Sequence, residues 1–251
     1  MCGIAGSFGI NYNNWDYEKV LQTIKYRGQD SQNLRSWSEK RLFLAQSRLS
    51  ILGLSSRFNQ PFSDGIKSLV INGEIYNHSE FGTTENDSMN LWLSLKNTSC
   101  EAEVLKILER IKGMYAGAFF DGEKLYLFRD IVGQKPLYYF LTTDTVFFSS
   151  DIASLKCIEG FEAIVDKLAV NSLLSYSYIP APHSIYKGVK KLKPGSCLVI
   201  NILHGKLHTN SRKVKDLERL ESRGTLQSIV SEAVNRLLES DVGLGTLLSG
   251  G

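Results

Sequence analysis

The chain opens Met1-Cys2-Gly3-Ile4-Ala5-Gly6, and its second residue decides how the rest is read. Removing Met1 leaves a cysteine whose thiol and free α-amine belong to one residue. A thiol is a strong nucleophile only as thiolate, and a free cysteine has a pKa of about 8.5. An α-amine titrates at about 7.7–8.0, which makes it a far better base near neutrality than a carboxylate. Nucleophile and base then sit on the same residue, the N-terminal-amine form of nucleophile activation. Taken alone, Met-Cys reads just as well as a cysteine in a buried first strand. The residues that follow separate the two readings.

At 251 residues the chain is long enough for one large domain, or for one domain and part of a second. Its hydrophobic content of 43% and charged content of 22% are those of an ordinary soluble globular protein. A net charge of +3, with no basic block interleaved with aromatics, gives no case for a nucleic-acid partner. Cys2, Cys100, Cys157 and Cys197 are scattered with no C-x-x-C pair, which fits neither a zinc site nor a disulfide framework. The expectation is no metal and a reducing compartment. The N-terminus has no basic n-region, and glycines break its apolar run, unlike a signal peptide. No apolar stretch is long enough to span a bilayer, so we expect a cytoplasmic protein with no membrane partner.

From Cys2 to about Ile10, small and apolar residues read as a buried strand. Val20, Leu21 and Ile24 at helical spacing predict a short amphipathic helix over Asp16–Lys25. Further strands are expected at Leu42–Ser47, Ser68–Ile71, Tyr115–Phe120, Leu125–Phe128 and Val146–Ser149, separated by Gly, Asn and Asp turns. Two helices are expected near Asp87–Leu95 and Glu101–Ile111. This mixture argues for an α+β layered architecture. Beyond about Ser211 the character changes. Arg212 to Arg223 is a dense mixed-charge run, and an amphipathic helix then follows, with Leu226, Ile229, Val230, Ala233, Val234, Leu237 and Leu238 on its apolar face and Thr225 as N-cap. We place a first domain at 1–210, and a linker with the start of a second domain at 211–251. Leu247-Leu248-Ser249-Gly250-Gly251 reads as a strand entering a glycine turn, so the sequence is expected to be a piece of a longer one.

Asn72-Gly73-Glu74-Ile75-Tyr76-Asn77 follows the expected strand Ser68–Ile71. At a strand end, an Asn side chain and a Gly amide can converge on one point as an oxyanion hole, where losing one donor typically costs about 3 kcal/mol. A plain Asn-Gly turn is the alternative. Arg48, in Ser47-Arg48-Leu49-Ser50-Ile51, ends another expected strand and can grip a carboxylate bidentately, although a lone arginine is more often a surface residue.

Together these stretches resemble the glutaminase domain of class II (N-terminal nucleophile) glutamine amidotransferases, and within that class glutamine-hydrolysing asparagine synthetases. The matching motifs, in family order, are MCGIAG, YRGQD (Tyr26–Asp30), SRLSIL (Ser47–Leu52), INGEIYNH (Ile71–His78), MYAGAFFD (Met114–Asp121), RDIVGQKPLYY (Arg129–Tyr139), YIPAPHSIYKGVKKLKPG (Tyr178–Gly195) and GTLLSGG (Gly245–Gly251). The resemblance implies a layered αββα N-terminal-nucleophile (Ntn) hydrolase fold, followed by the first helix and strand of an α/β ATP-pyrophosphatase domain. It implies that Cys2 attacks the glutamine side-chain amide, with its own α-amine as base and then acid. It also implies that Asn72 and Gly73 form the oxyanion hole, that Arg48 binds the α-carboxylate, that Leu49, Ser50, Ile51 and Leu52 shape the pocket, and that Glu74 and Asp87 hold the α-ammonium. No cofactor is implied for the glutaminase reaction. Ser249-Gly250-Gly251 matches the start of the family's pyrophosphate loop, with Leu247 beside the adenine, so the longer protein would use Mg-ATP to amidate aspartate with ammonia from glutamine. Its partners would be glutamine, aspartate and ATP in the longer protein, its own synthetase domain and, as a homodimer, a second copy.

The sequence departs from the family in three places. Tyr26-Arg27-Gly28-Gln29-Asp30 stands where the family has His-Arg-Gly-Pro-Asp, the interval from Glu74 to Asp87 is short, and Asn86-Asp87-Ser88-Met89 replaces Ser-Asp-Thr-Glu. Two alternatives remain open: an amidotransferase for a sugar acid or another carboxylate, and a non-catalytic glutaminase-like platform.

Overall fold

Period-two alternation explains why so many strands of this chain are buried on both faces. In β1 (Gly3–Gly9), Ile4 and Phe8 enter one apolar core and Ala5 another. In β3 (Leu42–Arg48), Leu42 and Leu44 face the first core, Phe43 and Ala45 the second. The structure is a computed structural model and describes residues 2–214 and 224–247. The first core lies between two six-stranded antiparallel sheets.

One sheet has the order β10-β8-β9-β1-β3-β2. Its remaining strands are β2 (Ser31–Trp37), β8 (Tyr138–Leu141), β9 (Thr145–Ser149) and β10 (Val189–Lys191). The other has the order β12-β11-β7-β6-β5-β4, built from β4 (Phe62–Ser63), β5 (Ser68–Ile75), β6 (Gly113–Phe120), β7 (Leu125–Arg129), β11 (Ser196–Leu203) and β12 (Lys206–Lys213). Helix α1 (Tyr17–Ile24), capped by Asp16, buries Val20 and Ile24 against the outer face of the first sheet with Phe43 and Phe147. Helices α2 (Asp87–Lys96) and α3 (Glu101–Arg110) cover the second sheet through Leu91, Trp92, Leu95, Val104 and Leu108. The result is the four-layered αββα arrangement of an α+β protein.

The first sheet's β1, the expected strands after it and all three early helices lie where the pattern placed them, with ends shifted by a few residues. Four elements have weak local signals. β2 is a polar, half-exposed edge strand, β8 is short, and β12 is charged along most of its length. Helix α4 (Lys167–Tyr176) is amphipathic, but Ala169 is its buried residue. β12 runs to Lys213, past the boundary expected at 210. Helix α5 (Leu226–Asn235) starts at the expected Thr225 cap, whose side chain accepts from Ser228 N–H, and its apolar residues Leu226, Val230 and Val234 are exposed. Residues 243–247 form no strand, and Leu248 to Gly251 lie outside the described residues, as does most of the mixed-charge run. Among the described residues no helix is long and apolar enough to cross a membrane.

Candidate active site

The same parity that builds the inter-sheet core also supplies a polar cluster at its end. Cys2 continues the inward series of Ile4 and Phe8. Gln46 and Arg48 continue Leu42 and Leu44, and Asn72 continues Val70. These residues line one cavity of about 120 Å³, together with Gly73, Glu74, Asp87 and Met114.

The expected strand end at Asn72 needs correction, because β5 runs on to Ile75 and pairs Asn72 with Ala116 and Gly73 with Tyr115. The turn reading fails with it. Gly73 carries the break in regularity instead, at φ +146°, and a Cβ there would stand 2.0 Å from Met114 O. Glycine is required because the neighbouring β6 backbone fills that space.

Beneath Asn72 a buried glutamine pair ties the two sheets together. Gln46 Nε2 donates to Ile71 O at 3.1 Å, Gln60 N donates to Gln46 Oε1 at 3.2 Å, and Ile71 N donates to Gln60 Oε1 at 2.7 Å. This fixes β5 against β3, and through β3 against β1. Asn72 itself is fully buried, yet neither its side-chain oxygen nor its nitrogen has a hydrogen-bond partner among the described residues. A buried amide left unpaired costs about 1–3 kcal/mol, so its retention at a cavity wall points to a ligand.

At the mouth, Leu49 N donates to Cys2 Sγ at 3.4 Å, and Sγ donates to Leu49 O at 3.6 Å. Arg27 Nε donates to Cys2 O at 3.1 Å. Burial pushes the Cys2 thiol up, while the Leu49 amide and the Arg48 guanidinium oppose that rise. Burial likewise raises the carboxyls of Asp87 and Glu74, and at Glu74 the nearby Asp87 carboxylate adds to the rise. Asp87 Oδ2 accepts from Ile75 N at 2.8 Å, which holds the start of α2 against β5.

Arg48 is placed at the cavity with its guanidinium engaged. Its Nη1 donates to Ser55 O and Asn59 Oδ1, and its Nη2 to Leu52 O and Gly53 O. The fork organises the loop after β3 and presents its charge to the cavity. Leu49, Ile51 and Leu52 line the cavity, whereas Ser50 does not; its N–H donates to Asp30 Oδ2 at 2.6 Å, inside the altered 26–30 segment.

Sequence reasoning assigned no role to Gln46, Gln60, Asn86, Met114 or Lys135, which also line the cavity. Lys135 lies within the RDIVGQKPLYY stretch, which is where a signal was available. Its side chain is buried and makes no hydrogen bond or ion pair among the described residues; burial lowers its ammonium, and Glu74 and Cys2 oppose that. Of the residues expected at a nucleotide loop, Leu247 is fully exposed, and Ser249, Gly250 and Gly251 lie outside the described residues.

A family model described as a glutamine amidotransferase domain matches residues 1–211. The chain belongs to that family. This amidotransferase domain is 28% identical, over its whole length, to a putative glutamine-hydrolysing asparagine synthetase of Methanocaldococcus jannaschii, covering 55% of that protein. It is also 28% identical to asparagine synthetase 1 of Bacillus subtilis, again over its whole length and covering 42% of it. The chain thus spans about half the length of the curated relatives it matches. A glutamine phosphoribosylpyrophosphate amidotransferase from B. subtilis shares the fold at a TM-score of 0.58 and 15% identity, over 85% of this chain and 49% of that one. The layers described above are therefore those of the Ntn-hydrolase fold of class II amidotransferases.

Proposed function

We propose that this domain hydrolyses glutamine at Cys2 and that the ammonia released serves an ATP-dependent amidation of aspartate in a longer protein. The observation that carries the glutaminase half is the cavity shared by the Cys2 sulfur and the unpaired Asn72 amide. With Met1 removed, the Cys2 α-amine takes the thiol proton and Sγ bonds to the side-chain carbonyl carbon of glutamine. The oxyanion so formed is met by Asn72 Nδ2 and the Gly73 N–H. The same amine returns the proton to the departing nitrogen, ammonia leaves, and water then hydrolyses the γ-glutamyl thioester to glutamate. Arg48 contributes positive charge at the α-carboxylate end and shapes the loop of Leu49, Ile51 and Leu52. Glu74 and Asp87 receive the α-ammonium, and Ser50 supports the loop from behind.

The aspartate half rests on the two synthetase relatives and on GTLLSGG. Mg-ATP would belong to the part of the protein that follows α5, and no step here runs through it. The glutaminase reaction itself needs no metal or cofactor. A cytoplasmic location and pairing with a second copy are part of the same proposal.

The test is covalent labelling with the glutamine analogue 6-diazo-5-oxo-norleucine, followed by intact mass and peptide mapping. A mass gain at Cys2, abolished in Cys2→Ala and accompanied by glutamate formation from glutamine in the unmodified chain, is the expected result. No adduct and no glutamate from a chain with Met1 removed would leave a non-catalytic platform as the answer.

A further inference from the structure

Residues 239–241 lie beyond the matched domain, yet they return to the rim of the glutamine cavity. Asp241 donates its backbone N–H to Ile51 O at 2.9 Å, and its Oδ2 accepts from Gly53 N at 2.7 Å. One residue thus brackets the 51–53 turn from outside, 188 positions further along the chain. Two positions earlier, Glu239 Oε1 meets His78 Nε2 at 2.8 Å, and the other ring nitrogen of His78 meets Asn90 Nδ2 of α2 at 2.8 Å.

The bracketed turn has little freedom to compensate by itself. Gly53 stands at φ +63°, where a Cβ would lie 2.7 Å from the Phe58 ring and 2.8 Å from Asn86 Cβ. From the inner side, Arg48 Nη2 and Asn86 Nδ2 both hold Leu52 O, at 3.3 and 2.8 Å. Ile51 and Leu52 are walls of the cavity. The Leu52 carbonyl is therefore set by cavity residues on one side, and the flanking Ile51 O and Gly53 N by Asp241 on the other. A carboxylate accepting a backbone N–H is among the stronger hydrogen bonds.

We propose that Asp241 is a positioning residue for glutamine hydrolysis, bracketing the 51–53 rim so that docking of the 239–241 segment and occupancy of the glutamine pocket favour each other. The proposal rests on the glutaminase reading above. Linkage makes the effect reciprocal: if docking tightens glutamine binding, glutamine tightens docking by the same factor. The segment's hold on the rim consists of the two Asp241 hydrogen bonds to the 51–53 backbone, with the Glu239–His78 contact beside them. The bracket favours bound glutamine and the transition state alike over the empty pocket, so its loss raises KM and leaves kcat in place.

Asp241→Ala, Asp241→Asn and Glu239→Gln in the full chain test this, with Arg236→Gln as control because Arg236 pairs with Glu232 on the exposed face of α5. Expected for Asp241→Ala is a KM for glutamine about tenfold higher, with kcat within about twofold. Asp241→Asn keeps an acceptor without the charge and falls between, Glu239→Gln shows a smaller rise, and Arg236→Gln matches the parent. As an independent readout, labelling Cys2 with 6-diazo-5-oxo-norleucine slows tryptic cleavage at Arg236 in the parent but not in Asp241→Ala. If Asp241→Ala does not fold, the Asn and Gln variants carry the same comparison. An unchanged KM in the Asp241 variants, or cleavage indifferent to labelling, overturns the proposal while the glutaminase reading stands. A parent that neither labels nor hydrolyses glutamine overturns both.

Discussion

Replacing Asn72 by leucine should move activity and stability in opposite directions. Asn72 is fully buried, and both polar atoms of its side chain lack a partner among the described residues. Leucine has a similar branched shape, continues the inward apolar series of Val70, and removes an unsatisfied amide whose desolvation costs about 1–3 kcal/mol. A stability gain of about 1–2 kcal/mol follows, which for a chain of this size raises Tm by about 2–8 °C. The same change removes an oxyanion donor, for which a loss of about 10²–10³ in kcat is usual, or about 2.7–4 kcal/mol. Urea titration and thermal melts give the first quantity. Initial rates of glutamate formation, normalised to titrated Cys2 thiol, give the second. An asparagine held for structural reasons would behave the other way, because its removal would strand its partners. A variant less stable than the parent that keeps its rate within tenfold would refute the reasoning.

Three further outcomes follow from the geometry. Gly73→Ala places a Cβ 2.0 Å from Met114 O and 2.6 Å from Tyr115 Cα at a positive φ. The β5–β6 ladder must then part, so we expect a loss of about 3 kcal/mol or more by urea titration, and a Tm within 2 °C of the parent would contradict this. Asp87 has its carboxyl raised by burial, so its contribution to stability is full below the ordinary carboxylate value of about 3.9 and is lost as pH rises through the elevated one. Asp87→Asn should accordingly gain stability relative to the parent as pH goes from 4 to 7 while binding glutamine more weakly; a difference in Tm independent of pH would count against it. Lys135→Met removes the cation that opposes the raised carboxyl of Glu74. Glu74 then stays protonated to higher pH, and the rise in glutamine KM on acidification should begin at higher pH than in the parent, which a KM–pH profile identical to the parent's would disprove.

Much of this domain was legible before folding was considered. Cys2 next to the chain start and the order of motifs identified the chemistry, and the alternation in Leu42-Phe43-Leu44-Ala45 already encoded a strand buried on two faces. Thr225 announced a helix start through its capping chemistry, and the structure shows Asp16 and Asn86 capping α1 and α2 in the same way, each accepting from an N–H three residues on. The edge strands β2 and β12 were less legible, because a polar strand takes its conformation from its neighbour's hydrogen bonds and leaves no apolar rhythm. Asn72-Gly73 left a plain turn open as an alternative for a similar reason: the dipeptide's local preference is overridden by pairing with β6.

What local pattern decided is which side chains share a face, since parity along a strand is a covalent consequence of the backbone. Cys2, Arg48 and Asn72 were each set on the inward side in this way. That three inward series from β1, β3 and β5 terminate around one cavity depends on register between strands far apart in the chain, and on the Gln46–Gln60–Ile71 bridge that locks the sheets. The same holds for Lys135, for the filled fork of Arg48, and for Asp241 at the rim. Each gains its place from contacts across long sequence separation, and no spacing rule reaches that far.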